Sequence, residues 1–151
     1  MKKWNFIIDV ENCNNCNMCV LACKDEFVGN SFPGYSAEMP KRGANWIDIK
    51  KKERGQESMI DVAYVPSMCQ HCDDAPCLKS SKNNAVTKRS DGIIIIDPEK
   101  SKGQKQIVDS CPHGSISWNE ELEIPQIWFF DAHLLDEGWT QPRAVKVCAT
   151  G

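Results

Sequence analysis

Four closely spaced cysteines near the amino terminus constrain this chain more than any other feature of its sequence. They follow the pattern Cys13-x2-Cys16-x2-Cys19-x3-Cys23, in a chain that contains nine cysteines in 151 residues. Thiolates with this spacing hold [4Fe–4S] cubanes, because a tight loop aims the first three sulfurs at one cluster. The fourth cysteine has already turned into a helix and points at a second cluster. The run therefore predicts partner cysteines elsewhere in the chain.

The number and grouping of the cysteines bear on two other interpretations. A disulfide scaffold is usually shorter, secreted and even in its cysteine count, so this interpretation is disfavoured. Structural zinc is the stronger alternative, because Cys69-x2-Cys72 followed by Cys77 is similar to the start of a zinc site. Zinc ribbons use cysteines in pairs, however, and three thiolates at i, i+3 and i+6 are unusual for them. Two iron–sulfur clusters are therefore the favoured interpretation.

Length and charge disfavour several classes of function. A chain of 151 residues suits one domain, or two small modules with a common core, and can fold without disulfides. Its net charge of −3 and isoelectric point near 5.6 disfavour a nucleic-acid binder. The longest aliphatic run, 93–96, is far shorter than a membrane span, and no signal peptide is recognised. We expect no direct membrane insertion, and either a cytoplasmic location or export with a partner that bears the signal.

Hydrophobic alternation and turn residues predict a mixed α+β chain. A strand is expected over 4–10, leading into the first cysteine loop, and a helix over 17–27. Alternation over 46–50 and 59–65 predicts a β-hairpin around a polar turn at 53–57. The order strand, cysteine loop, helix and strand occurs twice, which is typical of paired modules.

The cysteine motifs resemble those of the iron–sulfur subunits of the dimethyl sulfoxide reductase family of molybdopterin oxidoreductases. Such subunits carry four motifs arranged as two ferredoxin-like pairs, and the resemblance covers nearly the whole chain. Motif one is the complete run at 13–23, and motif two spans 69–77 with Ser81 in place of its fourth cysteine. Motifs three and four keep only their last cysteines, Cys111 and Cys148. Within the family the chain most resembles the small subunits of pyrogallol–phloroglucinol transhydroxylase and related anaerobic phenol hydroxylases, through residues 33–35, 51–55, 97–100, 118–121 and 132–136.

The resemblance also implies which cysteines share a cluster. In the family, the first three cysteines of motif one take a fourth ligand from the end of motif four, and those of motif two take theirs from motif three. The first [4Fe–4S] cluster would then be held by Cys13, Cys16, Cys19 and Cys148. The second would be held by Cys69, Cys72, Cys77 and Cys111. Two further sets are incomplete. The vacated third set has lost all four ligands and comprises Ser101, Gln104, Ile107 and Ser81. The vacated fourth set has lost three of four and comprises Trp128, Asp131, Ala144 and Cys23.

Some residues beside these sets have two interpretations. Cys23 is either a buried small hydrophobe, which we favour, or a redox-active thiol. Trp128, Phe129 and Phe130 are expected to fill the vacated fourth site with apolar side chains, because an empty cavity would be costly. His71 is either an ordinary loop histidine, which we favour, or a hydrogen-bonding group that tunes the second cluster.

For the whole chain, the resemblance implies an α+β fold of tandem ferredoxin-like modules with pseudo-two-fold symmetry and an inserted β-hairpin. Residues 1–151 would form a single dicluster ferredoxin-like domain. The first module would comprise 1–29 and 119–151, the inserted hairpin 30–67, and the second module 68–118.

The implied function is electron transfer between an external electron carrier and a molybdopterin-containing catalytic subunit that acts on a phenolic or other small substrate. No catalytic residue is expected in this chain itself. The alternative is a structural or assembly subunit whose clusters, or zinc, only stabilise the complex.

Overall fold

The computed structural model describes residues 3–151, in which short helices alternate with two-stranded antiparallel sheets. The helices are α1 (Met18–Phe27), α2 (Pro76–Ser80), α3 (Gln106–Asp109), α4 (Ala132–Asp136) and α5 (Arg143–Lys146). The strands are β1 (Asp48–Gln56), β2 (Met59–Ser67), β3 (Val86–Lys88), β4 (Ile94–Ile96), β5 (Ser117–Asn119) and β6 (Ile124–Gln126). None of the helices within this range has the length and apolarity that a membrane crossing needs. The mixture of helix and strand confirms the predicted α+β class.

Helix α1 carries the end of the first cysteine run into the protein core. Val20, Cys23 and Phe27 are buried, and their spacing of three and four residues places them on one face of the helix. The chain enters α1 through Asn17 in the left-handed conformation and leaves it before Gly29, whose φ is +71°. The helix predicted over 17–27 is confirmed.

Strands β1 and β2 form a long hairpin in which Asp48 lies opposite Ser67 and Gln56 opposite Met59. The predicted hairpin is confirmed, but its turn comprises only residues 57–58, and residues 53–56 belong to β1. The prediction of a turn at 53–57 is wrong because those polar side chains lie on exposed faces of a strand. Glu57 has φ +52°, as a tight two-residue hairpin turn requires.

The segment over 4–10 has the predicted alternation but does not form a strand. Trp4, Phe6 and Ile8 are half-buried, and the residues between them are exposed. The Trp4 amide donates to the Asp91 carbonyl at 3.1 Å, yet the segment joins none of the three sheets found in residues 3–151. The strand prediction is wrong, because alternating burial does not supply the ladder of backbone hydrogen bonds that a strand needs.

Strand β4 joins two hydrophobic cores. Ile95, together with Ile93 directly before the strand, belongs to the larger core, which contains the buried face of α1 and the aromatic residues at 128–130. Ile94 and Ile96 belong to the smaller core, with Cys77 of α2. Successive side chains of a strand point to opposite faces, so this short strand contributes to both cores. Each core lies beside one of the two predicted cysteine sets.

Candidate metal centres

The four cysteines of the first predicted set line one cavity of about 190 Å³. Cys13, Cys16 and Cys19 enter it from the amino-terminal loop, whereas Cys148 enters from the residues that follow α5. Cys16 and Cys148 are exposed, and the other two are half-buried. The fold thus brings a cysteine near the end of the chain to the first cysteine loop.

Two asparagines shape the loop that presents the first three sulfurs. Asn15 and Asn17 both have φ of 59°, in the left-handed region that asparagine tolerates better than most residues. The Asn17 Nδ2 donates to the Asn15 carbonyl at 2.8 Å, which closes the turn. These two turns let sulfurs that lie three residues apart face the same cavity.

Electrostatics around the first cavity favour a positively charged occupant. Burial raises the pKa of Cys19, and the neighbouring charges of Cys16 and Cys13 raise it further. A side-chain hydrogen bond with Thr150 lowers the pKa of Cys148, whose Sγ lies 3.5 Å from the Thr150 Oγ1. Ionised thiols gathered at one cavity repel one another, so a group of metal ions between them is what allows them to ionise together.

The second predicted set is assembled from the loop before α2, from α2 itself and from the turn after α3. Cys77 is buried, and Cys69, Cys72 and Cys111 are half-buried against the same small core. Burial raises the pKa of Cys69 to about 12, and the charges of Cys77, Cys111 and Cys72 also raise it. Cys69 therefore lies within electrostatic range of all three of its predicted partners.

His71 attaches the second cysteine loop to β4. Its Nδ1 accepts a hydrogen bond from the Ile94 amide at 3.0 Å and lies 4.0 Å from the Cys69 Sγ. Burial lowers the pKa of His71 to about 4, so at neutral pH the ring is uncharged and carries its proton on Nε2. The histidine between two proposed ligands thus orients their loop.

Both sets fit the donor chemistry of [4Fe–4S] clusters, which are held by four thiolates each. Eight of the nine cysteines fall into these two groups of four, and the ninth, Cys23, is buried away from the first cavity's lining. In residues 3–151, no three His, Cys, Asp or Glu side chains are arranged to hold a single metal ion.

In the vacated third set, one residue makes hydrogen bonds to the neighbouring backbone. The Gln104 side chain accepts from the Lys82 amide at 2.8 Å and donates to the Lys100 carbonyl at 2.7 Å. Ser101 is fully buried, and its Oγ has no partner among the described residues. Ile107 lies in the small core. This set retains no thiol that would bind iron.

The vacated fourth set is filled by a hydrogen-bonded aromatic–carboxylate pair. The Trp128 Nε1 donates to the Asp131 Oδ1 at 2.7 Å, and both residues are buried. Phe129 and Phe130 are also buried, as the prediction of aromatic filling expected. Burial and then the charge of Asp131 raise the pKa of Cys23, which is 4% exposed. Cys23 is thus a protonated, inaccessible thiol of the kind that behaves as a small hydrophobe.

All four motif loops share one backbone feature, whether or not they retain cysteines. In each motif the first two ligand positions lie three residues apart, and the residue directly before the second position has a left-handed backbone. These residues are Asn15, His71, Gly103 and Phe130, with φ of 59°, 47°, 74° and 63°. The left-handed conformation is common for glycine and tolerated by asparagine, but it is unusual for a bulky phenylalanine. The two vacated loops therefore keep the turn that the two cysteine loops use.

A charged cluster that the motifs did not indicate links α5 to α1. The Arg143 guanidinium pairs with Glu26 and, at 2.8 Å, with Asp25, both at the end of α1. The His133 Nε2 lies 2.7 Å from the Glu26 Oε1. The acidic residues directly after the first cysteine run were visible in the sequence, but nothing in it identified their distant partner. These contacts hold together the two ends of the chain that form the first cavity.

Comparison with protein families gives two matches, each described as a 4Fe-4S dicluster domain. One covers residues 60–151 and the other covers residues 12–80. Together they include all eight cysteines of the two predicted sets.

Individual relatives are iron–sulfur or small subunits of oxidoreductases and a hydroxytransferase. The chain is 44% identical to the pyrogallol hydroxytransferase small subunit of Pelobacter acidigallici, over 99% of this chain and 55% of the relative. It is 32% identical to a putative dimethyl sulfoxide reductase iron-sulfur subunit from Halobacterium salinarum, over 83% of this chain and 50% of the relative. It is 29% identical to the arsenate respiratory reductase iron-sulfur subunit of a Shewanella species, over 90% of this chain and 53% of the relative.

The chain spans about half the length of the curated relatives that it matches. Their names confirm the predicted resemblance to dimethyl sulfoxide reductase iron–sulfur subunits and to the pyrogallol-converting small subunit. The chain belongs to the 4Fe-4S dicluster family and carries two [4Fe–4S] clusters.

Proposed function

We propose that the chain is the electron-transfer subunit of an oxidoreductase complex and passes electrons to or from a molybdopterin-containing catalytic subunit. The observation that carries this proposal is the convergence of Cys13, Cys16, Cys19 and Cys148 on a single cavity. A [4Fe–4S] cubane supplies one-electron redox chemistry when bound, at a potential set by hydrogen bonds, charge and burial. The substrate chemistry then belongs to the partner.

The ligand assignment follows the two groups of thiols. We assign Cys13, Cys16, Cys19 and Cys148 to the first cluster, and the remaining four to the second: Cys69, Cys72, Cys77 and Cys111. The shared cavity supports the first group, and the mutual electrostatic influence of the thiols supports the second. Cys23 is left without a role in either cluster.

The tandem arrangement of modules is part of the same proposal. The first module comprises 1–29 and 119–151, the inserted hairpin 30–67, and the second module 68–118, related by pseudo-two-fold symmetry. Two observations support this division. Each cysteine set lies beside its own hydrophobic core, and the same left-handed turn recurs in all four motif loops.

The partner's substrate is proposed from similarity. The relative with 44% identity is named as the small subunit of a pyrogallol hydroxytransferase, which favours a phenolic or other small substrate for this complex as well. An external carrier would exchange electrons with the complex. The complex would reside in the cytoplasm, or beyond it if the partner carries an export signal.

The two proposed sites differ in how well a redox partner can approach them. Cys16 and Cys148 of the first site are exposed, whereas Cys77 of the second is buried and Cys69 is half-buried. Electron exchange with another protein is best served by the site nearer the surface. The first site is thus the better candidate for contact with a redox partner.

The proposal is tested by anaerobic co-purification of the chain with its neighbouring subunits. We expect about eight irons and eight sulfides per chain, as two cubanes require, with two EPR signals that appear during reductive titration. Stopped-flow mixing of the complex with substrate should then change the oxidation state of both clusters at the rate of turnover. Zinc without an EPR signal would contradict the electron-transfer role.

A structural or assembly role is the second candidate, and the vacated sites favour it. Side chains of Gln104 and of the Trp128–Asp131 pair occupy two of the four family cluster positions, so the chain does not build an uninterrupted row of clusters. Clusters that can be reduced chemically, but that keep their oxidation state throughout turnover, would support this second role.

A further inference from the structure

Asp131 is the most completely enclosed carboxylate in the part of the chain that the structure describes. It is 2% exposed, and both of its oxygens accept hydrogen bonds. Oδ1 accepts from the Trp128 Nε1 at 2.7 Å, and Oδ2 accepts from the backbone amide of Arg143 at 2.8 Å. An apolar residue would fill this vacated site without the penalty of burying a charge. The carboxylate must therefore do something that an apolar residue would not.

The second of these bonds reaches the start of α5. Arg143 is the first residue of this helix, and its amide is one of the donors that have no partner within a helix. The preceding residue, Pro142, supplies no side-chain cap. Asp131 thus caps α5 from a different segment of the chain.

Backbone hydrogen bonds connect the first turn of α5 to Cys148. The Val147 amide donates to the Arg143 carbonyl at 3.1 Å, and the Cys148 amide donates to the Val145 carbonyl at 3.1 Å. Cys148 itself is exposed, so little surrounding packing determines where its sulfur lies. The position of Cys148 therefore depends on where α5 starts.

We infer that Asp131 is a positioning residue for the first cluster: it occupies a former ligand position of the vacated fourth set and holds α5 so that Cys148 reaches the first cavity. The inference rests on the proposed assignment of Cys148 as a ligand. In this chain, the hydrogen bonds of the Asp131 carboxylate hold α5 in place, as a cluster bound at the fourth site would. Trp128 orients the carboxylate, and the ion pairs of the Arg143 side chain attach the same helix to α1.

The test measures iron release from each cluster in the anaerobically purified full chain, with a chelator in excess. The EPR signal that is absent from Cys148→Ala identifies the first cluster. Asp131→Asn keeps the shape of the side chain but replaces one acceptor oxygen by an NH2 group, so the side chain can no longer accept from both Trp128 and Arg143. Trp128→Phe removes only the donor to Oδ1 and leaves the Arg143 bond in place. Ser101→Ala, in the vacated third set, is the matched control, because the Ser101 Oγ has no partner among the described residues.

In Asp131→Asn we expect iron release from the first cluster to accelerate about tenfold, the factor expected for loss of a charge-assisted hydrogen bond. The release rate and reduction potential of the second cluster should be unchanged, and Trp128→Phe should show a smaller acceleration confined to the first cluster. Ser101→Ala should match the parent. Equal acceleration at both clusters, or none in Asp131→Asn, would overturn the inference.

Two further outcomes keep the test decisive. If Asp131→Asn accumulates without either cluster, Trp128→Phe decides, because a release rate equal to that of the parent would then overturn the inference. Retention of both signals in Cys148→Ala would instead overturn the ligand assignment on which the inference rests.

Discussion

Phe130 holds the same left-handed backbone conformation as Asn15, with φ of 63° and 59° respectively. Asn15 lies between two proposed ligands, whereas Phe130 lies in a loop that has lost its cysteines. A bulky aromatic residue adopts this conformation only at a cost in free energy, which the burial of its ring helps to offset. The loop at 128–131 therefore has the backbone turn of the first cysteine loop, although it contains no cysteine.

This shared backbone turn predicts that a third cluster can be restored. We expect the triple variant Trp128→Cys, Asp131→Cys and Ala144→Cys, with native Cys23, to bind about 12 irons per chain instead of about eight. The three new thiols would stand on an existing loop, and a cluster held by residue 144 would replace the Asp131 contact with α5. Iron and sulfide analysis with EPR of the reduced protein makes the measurement.

Adding Cys23→Ala to the triple variant provides the control for this experiment. That quadruple variant lacks the fourth thiol and should bind fewer irons than the triple variant. Equal iron contents in the triple and quadruple variants would show that Cys23 does not face the vacated fourth site.

The two clusters should differ in their resistance to chelators. Two thiols of the first site are exposed, whereas those of the second are buried or half-buried. Iron release should therefore be biphasic, with the fast phase belonging to the first cluster. Cys148→Ala should lack the fast phase, and a fast phase that disappears instead in Cys111→Ala would contradict the assignment.

An ion pair between Arg89 and Asp136 predicts a pH-dependent contribution to stability. Arg89 donates to both carboxylate oxygens at 2.7 Å, and the Tyr35 hydroxyl donates to Oδ2 at 2.6 Å. Arg89 lowers the pKa of Asp136 from 3.8 to about 2. A lowered folded-state pKa stabilises the protein above the unfolded value, so the contribution is complete above about pH 4 and is lost as the pH falls towards about 2.

Asp136→Asn tests this relationship. The pair is partly exposed, so we expect a loss of about 1 kcal/mol in the free energy of unfolding by urea at pH 7. The difference between parent and variant should shrink below about pH 4. Glu137→Gln, at the next and exposed position, should show no such difference; a difference that is constant down to about pH 2 would contradict the account.

The sequence alone predicted the elements whose signals are local. Helix α1 follows from the spacing of its buried residues, and the hairpin follows from alternation on both sides of a polar stretch. The segment at 4–10 shows the limit of such reasoning. Its alternation correctly predicted which side chains are half-buried, but strand formation depends on a partner strand, which no local pattern reveals.

The candidate sites also combine features that a local sequence pattern predicts with features that it does not reveal. The spacing of the first three cysteines is local and predicts a loop, whereas the partnership of that loop with Cys148 came from resemblance and agrees with the shared cavity. The aromatic filling of the vacated fourth site was expected, but the role of Asp131 was not. Its two hydrogen bonds join residues whose spacing matches no motif, so only the three-dimensional arrangement makes them visible.

The most direct test of the central claim compares Cys148→Ala with Cys23→Ala, two variants that each remove one thiol. The measurement is iron and sulfide per chain after anaerobic purification, with EPR of the dithionite-reduced proteins. We predict about four irons and one signal for Cys148→Ala, and about eight irons and two signals for Cys23→Ala. Loss of a cluster from Cys23→Ala, or retention of both clusters in Cys148→Ala, would contradict the assignment of the first cluster to Cys13, Cys16, Cys19 and Cys148.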